Sequence, residues 1–378
     1  MISKTTLCSR CILDDTIEGI QFDENGICNF CGIHDQLEVQ YPLDEQGAEH
    51  LKACIAQIKE DGKRKKYDCV VGVSGGRDST YTLYMAVKLG LRPLAVHFDN
   101  GWNSKTAVTN IYNATQKLDV DLYTVVADWG EFKDLQRSFL YASVPDADVP
   151  TDWAIYSVLF DVAAKEGLHY VIQGHSFRTE GTSPITWTYM DGRYIRSVQR
   201  LFGSRKITSF PIMGMKDLLC HMFLRRIKEI RLLEYLDYKK EEVDATLKQE
   251  LGWTYYGGHH HESMYTHFFQ SYYLPEKFGI DKRKLEYAAE VRSGHISRQE
   301  ALEKIAQPYE YDPEIVAYTI SKLDLSQEDF DEIMKLPVQS FHNYPTYYPY
   351  INALSLPVRL ACHLHLLPPI LAEKYLKK

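Results

Sequence analysis

The 378 residues hold no apolar run that reads as a membrane span, no repeat, no low-complexity tract and no strong excess of basic residues. The most apolar late stretch, Ile351 to Leu371, is interrupted by Arg359, His363, His365 and three prolines, so it reads as helix-and-turn packing. The first residues lack the basic segment and apolar core of a signal peptide, so a cytoplasmic location is expected. In that compartment the eight cysteines read as thiols or metal ligands, not disulfides. No block has the Lys and Arg density of a nucleic-acid surface, so neither a nucleic-acid partner nor membrane insertion is expected. The one dense basic run, Lys63-Arg64-Lys65-Lys66, reads as a solvated turn after a helix.

What is present is the composition of a soluble globular chain, 45% hydrophobic and 25% charged. The formal net charge of -8 is concentrated at one end: residues 1–45 carry nine acidic residues against two basic ones, and the remainder is nearly neutral. The length allows two domains, or three if one is small. The 27 tyrosines hint at a sticky or sugar-facing surface.

Hydrophobic periodicity organises the chain into three parts. Residues 1–45 hold four cysteines and are too short to bury a core alone. From 46 to 215 strand and helix signals alternate. An amphipathic helix spans Gln46 to Asp61, and buried-strand runs span Asp68–Val73, Arg92–Phe98, Asp121–Val126 and His169–Ile172. Helices fall between them from Ser79 to Leu89, from the cap Ser104 to Leu118, and from the cap Thr151 to Gly167. This alternation predicts an α/β fold with a doubly wound parallel sheet, in which ligands sit at the carboxyl ends of the strands. A later run, ITSFPIM, reads as another strand. Residues 216–378 read as a helical C-terminal region, with segments 216–236, 240–251, 281–292, 297–306 and 326–336, and a capping box at Ser297 and Glu300.

Cys8-x2-Cys11 and Cys28-x2-Cys31 form two knuckles whose four thiolates can complete a tetrahedral zinc site. With all four positions filled, such a zinc is structural; an iron–sulfur cluster or free thiols are the alternatives. Cys54, Cys69, Cys220 and Cys362 lack paired spacing and read as buried hydrophobes.

Between the first strand and its helix lies Val73-Ser74-Gly75-Gly76-Arg77-Asp78-Ser79. Two glycines let backbone approach an oxyanion, the helix start points N–H groups at the same place, and two serines add hydroxyls. The spacing is neither a Walker A loop nor a dinucleotide fingerprint. SGGRDS in this position resembles the PP-loop of the ATP pyrophosphatases, which release pyrophosphate from ATP. That resemblance implies ATP and Mg2+. It also implies nucleotide-facing roles for His97, Phe98 and Asp99 after the second strand, and for Gly174 and His175 after HYVIQ. Asp78 is then the loop carboxylate, set toward the helix start or the metal, and Glu180 a second carboxylate near metal or substrate; either can instead be structural. Arg205 and Lys206 are candidates to reach the phosphates, with solvent exposure as the alternative.

Gly257-Gly258-His259-His260-His261-Glu262 offers histidines and a carboxylate that can bind metal, act as a base or hold phosphate. Consecutive residues do not share a face, so at most two of the histidines converge. His260 and Glu262 are taken as the candidates.

The four-Cys module, the SGGRDS loop and the segment GGHHHESMYTHFFQSYYLPEKFGIDKRK together resemble the N-acetyl sugar amidotransferases, over most of the chain. These act in bacterial surface-polysaccharide, O-antigen and nonulosonic-acid biosynthesis. The resemblance implies a nucleotide-linked N-acetyl sugar substrate whose acetamido oxygen is adenylylated by ATP. Ammonia then displaces AMP from the imidate to leave an acetamidino group. The chain shows no glutaminase of its own, so the resemblance also implies separate glutaminase and cyclase-like partner subunits that supply ammonia. A tRNA-thiolating PP-loop enzyme is the rival reading; the acidic cysteine module, the lack of a broad basic surface and the absence of a further CxxC count against it.

Overall fold

The computed structural model describes residues 6–258, 260–309 and 311–363, with backbone alone for 361–363. Five parallel strands form the centre: β1 (Cys69–Gly72), β2 (Pro93–Asp99), β3 (Leu122–Val126), β4 (Tyr170–Gln173) and β5 (Lys228–Arg231). Their spatial order is β3-β2-β1-β4-β5. The chain first builds outward from β1 through β2 to β3, then returns to the other side of β1, so the switch point lies between β1 and β4.

The helices before and between the strands are α1 (Asn29–Gln40), α2 (Glu45–Gly62), α3 (Arg77–Lys88), α4 (Lys105–Leu118), α5 (Trp129–Ala142) and α6 (Val149–Lys165). After β4 come α7 (Phe177–Glu180), α8 (Ile185–Thr188), α9 (Gly192–Phe202) and α10 (Met215–Leu219). Beyond β5 follow α11 (Lys240–Leu251), α12 (Met264–Phe268), α13 (Arg283–Arg292), α14 (Arg298–Ala306), α15 (Pro313–Lys322) and α16 (Gln327–Lys335).

The sheet is covered on both faces, which is why its strands read as continuous apolar runs. Alternate residues of β1 divide between two cores: Val70 joins the one built from α5, α6 and the C-terminal helices, and Cys69 and Val71 join the one under α2, α3 and α11. Ser104 caps α4 by accepting from the Ala107 N–H at 3.1 Å, as its sequence position predicts.

Several expectations need correction. Thr151 lies inside α6, whose first turn starts at Val149 with Pro150 next, a residue suited to a helix start. ITSFPIM is not a strand, because its N–H groups go elsewhere: those of Thr208, Ser209 and Phe210 all point at the Glu131 carboxylate. Segment 216–236 is not one helix. It turns tightly through Cys220–Leu224 and then supplies β5, whose 228–231 ladder pairs with 170–173 on β4. The sheet therefore draws its last strand from beyond residue 215. The capping box at Ser297 is one-sided: its hydroxyl accepts from the Glu300 N–H at 3.1 Å, while the Glu300 carboxylate pairs with Lys304.

Among the large side chains with almost no exposure are Tyr189, Tyr194, Tyr238, Tyr265 and Tyr273, so much of the tyrosine content is interior packing instead of surface. Cys69 is buried, whereas Cys54 and Cys220 are half-buried; the Cys362 side chain and the end of the 351–371 stretch lie outside the described residues. The basic run is a turn, tied down by Lys66 to Asp121 at 2.8 Å and by Lys65 to the Gly167 carbonyl. No helix among the described residues is long and apolar enough to cross a membrane.

Candidate active site and four-cysteine centre

The glycine loop leaves β1 at the switch point. The Val73 N–H still donates to Val96 O at 2.9 Å; beyond it the backbone bends through Gly75, at φ +80°. A Cβ there would lie 2.2 Å from the Ala107 carbonyl oxygen, so only glycine fits. Ser79 Oγ accepts from the Ser74 N–H at 3.1 Å, and the two serine hydroxyls lie 3.0 Å apart. The loop is braced from far along the chain. Asn110 Nδ2 and the Trp253 indole N–H both donate to the Gly75 carbonyl at 3.1 Å, and the Tyr256 hydroxyl accepts from the Arg77 N–H at 3.0 Å. The Arg77 guanidinium is spent on Asp244, which it grips with two nitrogens.

An oxyanion already lies in this bend. Glu262 Oε1 accepts from Ser74 Oγ at 3.1 Å and stands 2.6 Å from where a Cβ on Gly76 would be. The loop therefore fits a phosphate-bearing ligand by its own geometry: it has room for a charged oxygen only because Gly76 lacks a side chain.

Beside the loop, charged groups from four segments lie close enough to set one another's ionisation. Asp78, at the start of α3, accepts from the Tyr238 hydroxyl; burial and the negative Glu180 push its pKa up to about 6. Burial also opposes ionisation of Glu180, but the charges and hydrogen bond of His175 and the charge of His260 prevail and hold it at about 2. His175 Nδ1 is 3.3 Å from Glu180 Oε2. Burial disfavours a charge on His260 as well, yet the hydrogen bond and charge of Glu262, then Glu180 and Asp78, raise it to about 9. Asp152 of α6 is exposed, and partial desolvation by the surrounding protein raises its pKa against the opposing charges of Lys282, His175 and His260.

The sequence candidates thus divide. Ser74, Gly75, Gly76, Asp78, Ser79, His175, Glu180, His260 and Glu262 come together. Gly174 packs behind them: a Cβ on it would be 2.8 Å from the Asp78 backbone and 2.9 Å from Thr82 Oγ1, so it lets β4 approach α3. His97 is buried, with Nδ1 2.9 Å from the Val73 carbonyl and Nε2 3.0 Å from Asn103 Nδ2. It braces the end of β1, and burial keeps it neutral by lowering its pKa. Phe98 points into the core against Phe210, and Asp99 accepts from the Gly101 N–H at 2.9 Å and the Asn103 amide at 3.1 Å. Lys206 is exposed and is not gathered into the cluster. Of the three histidines, His260 faces the carboxylates and His261 turns away to stack on His267, ring centroids 3.7 Å apart; His259 lies outside the described residues. The sequence reading missed Tyr238, Asp244, Trp253 and Tyr256, which act on the loop from more than 150 residues away and carry no local motif.

The second centre is the cysteine module. Cys8, Cys11, Cys28 and Cys31 are all buried, with their sulfurs within 4.8 Å of one another. Three sulfur–sulfur distances are 3.9, 3.7 and 3.6 Å. A tetrahedral ion with metal–sulfur bonds of about 2.3 Å has edges of roughly 3.8 Å, so this donor set fits one metal ion. The N–H groups of Cys11 and Cys28 point at Cys8 Sγ at 3.4 and 3.3 Å, and that of Leu13 at Cys11 Sγ at 3.5 Å, an arrangement that favours thiolate. Arg298 ties the knuckle to α14 by donating to the carbonyls of Cys8 and Cys11, both at 2.9 Å.

Residues 262–355 match the profile described as LPS biosynthesis protein WbpG-like, C-terminal domain. This part of the chain is similar to that domain. No curated protein matches the chain. One solved structure, titled as a predicted subunit of tRNA methyltransferase from Methanocaldococcus jannaschii, is 12% identical over 48% of this chain and 74% of that one, at a TM-score of 0.28. A similarity that loose carries no assignment. The WbpG-like stretch opens at Glu262, the residue whose carboxylate reaches the glycine loop, and includes α12 to α16.

Proposed function

We propose that the chain is an ATP-dependent amidotransferase of lipopolysaccharide biosynthesis, converting an acetamido group of a nucleotide-linked N-acetyl sugar to an acetamidino group. The observation that carries the reading is the meeting of the oxyanion-holding glycine loop with the first residue of the WbpG-like region. The contact between the glycine loop and the WbpG-like region supports a reaction between a nucleotide and a surface-polysaccharide precursor.

With ATP as co-substrate, the acetamido oxygen attacks the α-phosphorus and pyrophosphate leaves; ammonia then attacks the activated carbon and AMP leaves. The N–H groups and hydroxyls of Ser74–Ser79 cradle the departing phosphates. Asp78 and Glu180 would hold Mg2+, which when bound offsets the charge of the phosphates. His260, kept cationic by its acidic neighbours, supplies a second positive group on the cleft wall. The four cysteines hold zinc, in a structural role. Ammonia comes from a separate glutaminase, and a cyclase-like subunit assists its delivery.

The test is to incubate the pure chain with ATP, magnesium, ammonium chloride and a panel of UDP-linked acetamido sugars, following AMP and sugar mass. AMP together with a mass change from oxygen to NH, lost in Asp78→Ala, is the expected result. AMP release that depends on tRNA and a sulfur donor, with no sugar supporting it, would replace this reading with nucleobase thiolation.

A further inference from the structure

Glu262 stands where a ligand phosphate belongs, and its position is poorly rewarded. It is 7% exposed, with Oε1 on Ser74 Oγ at 3.1 Å, but its other oxygen, Oε2, is buried and has no hydrogen-bond partner. A buried carboxylate with an idle oxygen is costly unless positive groups compensate. Here those groups are the start of α3 and the His260 ring, whose Nδ1 is 3.7 Å from Oε1. Both would favour any other anion in the same place.

The backbone around Glu262 is fixed separately from its side chain. Its carbonyl accepts from the Ser104 N–H at 2.8 Å, and the Met264 N–H donates to the Trp102 carbonyl at 2.9 Å. These bonds pair 262–264 with the segment after β2, so the carboxylate can leave the bend by side-chain rotation alone.

We infer that Glu262 is an internal phosphate surrogate: it fills the cradle of the ligand-free chain, and an incoming polyphosphate displaces it into the cleft. This rests on the reading of the glycine loop as a polyphosphate site and goes beyond it. It assigns Glu262 a competing role in the free chain in place of a ligand-holding one.

The experiment is calorimetric titration of the full chain with inorganic pyrophosphate, without magnesium, for wild type, Glu262→Gln and Glu262→Ala. Both variants should bind pyrophosphate more tightly, on the order of tenfold, because the competing charge is gone. Unchanged or weaker binding in both variants, with wild type binding measurably, overturns the surrogate role and leaves the phosphate site intact. Absence of binding in all three chains removes the phosphate-site reading itself, and this inference with it.

Discussion

The cysteine centre and the cleft cluster are both polar constellations held by loops, yet they are assembled in opposite ways. The four sulfurs come from two short knuckles within 24 residues, and backbone N–H groups next to them set their orientation. The cleft groups come from residues 74–79, 152, 175–180 and 260–262, and only the sheet topology and the 102–104 to 262–264 pairing bring them together. A constellation made from local spacing requires a ligand to offset its like charges. One made from distant segments can offset its charges with each other, as Glu262 and His260 do.

This contrast predicts a hierarchy of effects. Cys11→Ser, or removal of the metal by a chelator, should be the most damaging, costing about 4 kcal/mol or more of stability. The expected pattern in hydrogen exchange is loss of protection across 8–31 and in α14, which Arg298 joins to the knuckle, before any loss in β1 and β4. Uniform loss throughout the chain would erase the distinction between the two centres.

A smaller effect belongs to Asp78, the raised member of the cleft. Below about pH 6 it takes up a proton and stops attracting a cation. Magnesium-dependent nucleotide affinity should therefore decline by at most about tenfold per pH unit there. Glu180, held near 2, should contribute no titration in that range. Equilibrium titration from pH 7.5 to 5 checks this, with Asp78→Asn expected to flatten the profile. The smallest effect should come from Lys206→Ala: the side chain is exposed and apart from the cluster, so nucleotide affinity should change less than about twofold. A tenfold loss would mean that the cleft extends to that surface.

The same contrast explains what the sequence made legible. The cysteine site was readable in full, because CxxC spacing is itself the geometry. The parallel sheet was readable because strands buried on both faces are plain in the hydrophobic pattern, and Ser104 and Ser297 mark helix starts by local hydrogen bonds. β5 was hidden: its residues, Lys-Glu-Ile-Arg, are those of a half-exposed edge strand, and pairing with β4 overrides their weak propensity. ITSFPIM looked like a strand because no local rule says that Glu131, 77 residues earlier, claims its N–H groups. His97 and Phe98 show the limit of a motif read along one strand. Neighbouring residues point to opposite faces, and here one braces the loop while the other fills the core.

The bracing of Gly75 also sets a schedule for synthesis. Two residues that brace the bend, Trp253 and Tyr256, follow their partners by 178 and 179 positions. A ribosome delivers the loop early and these supports nearly half a chain later. Until then the bend is held by Asn110, His97 and its own serines alone, and closing so long a loop is slow. A chain released before residue 253 should therefore keep much of the sheet but lack these braces of the anion cradle. Assembly of the site becomes a late checkpoint that only molecules extended beyond these braces pass.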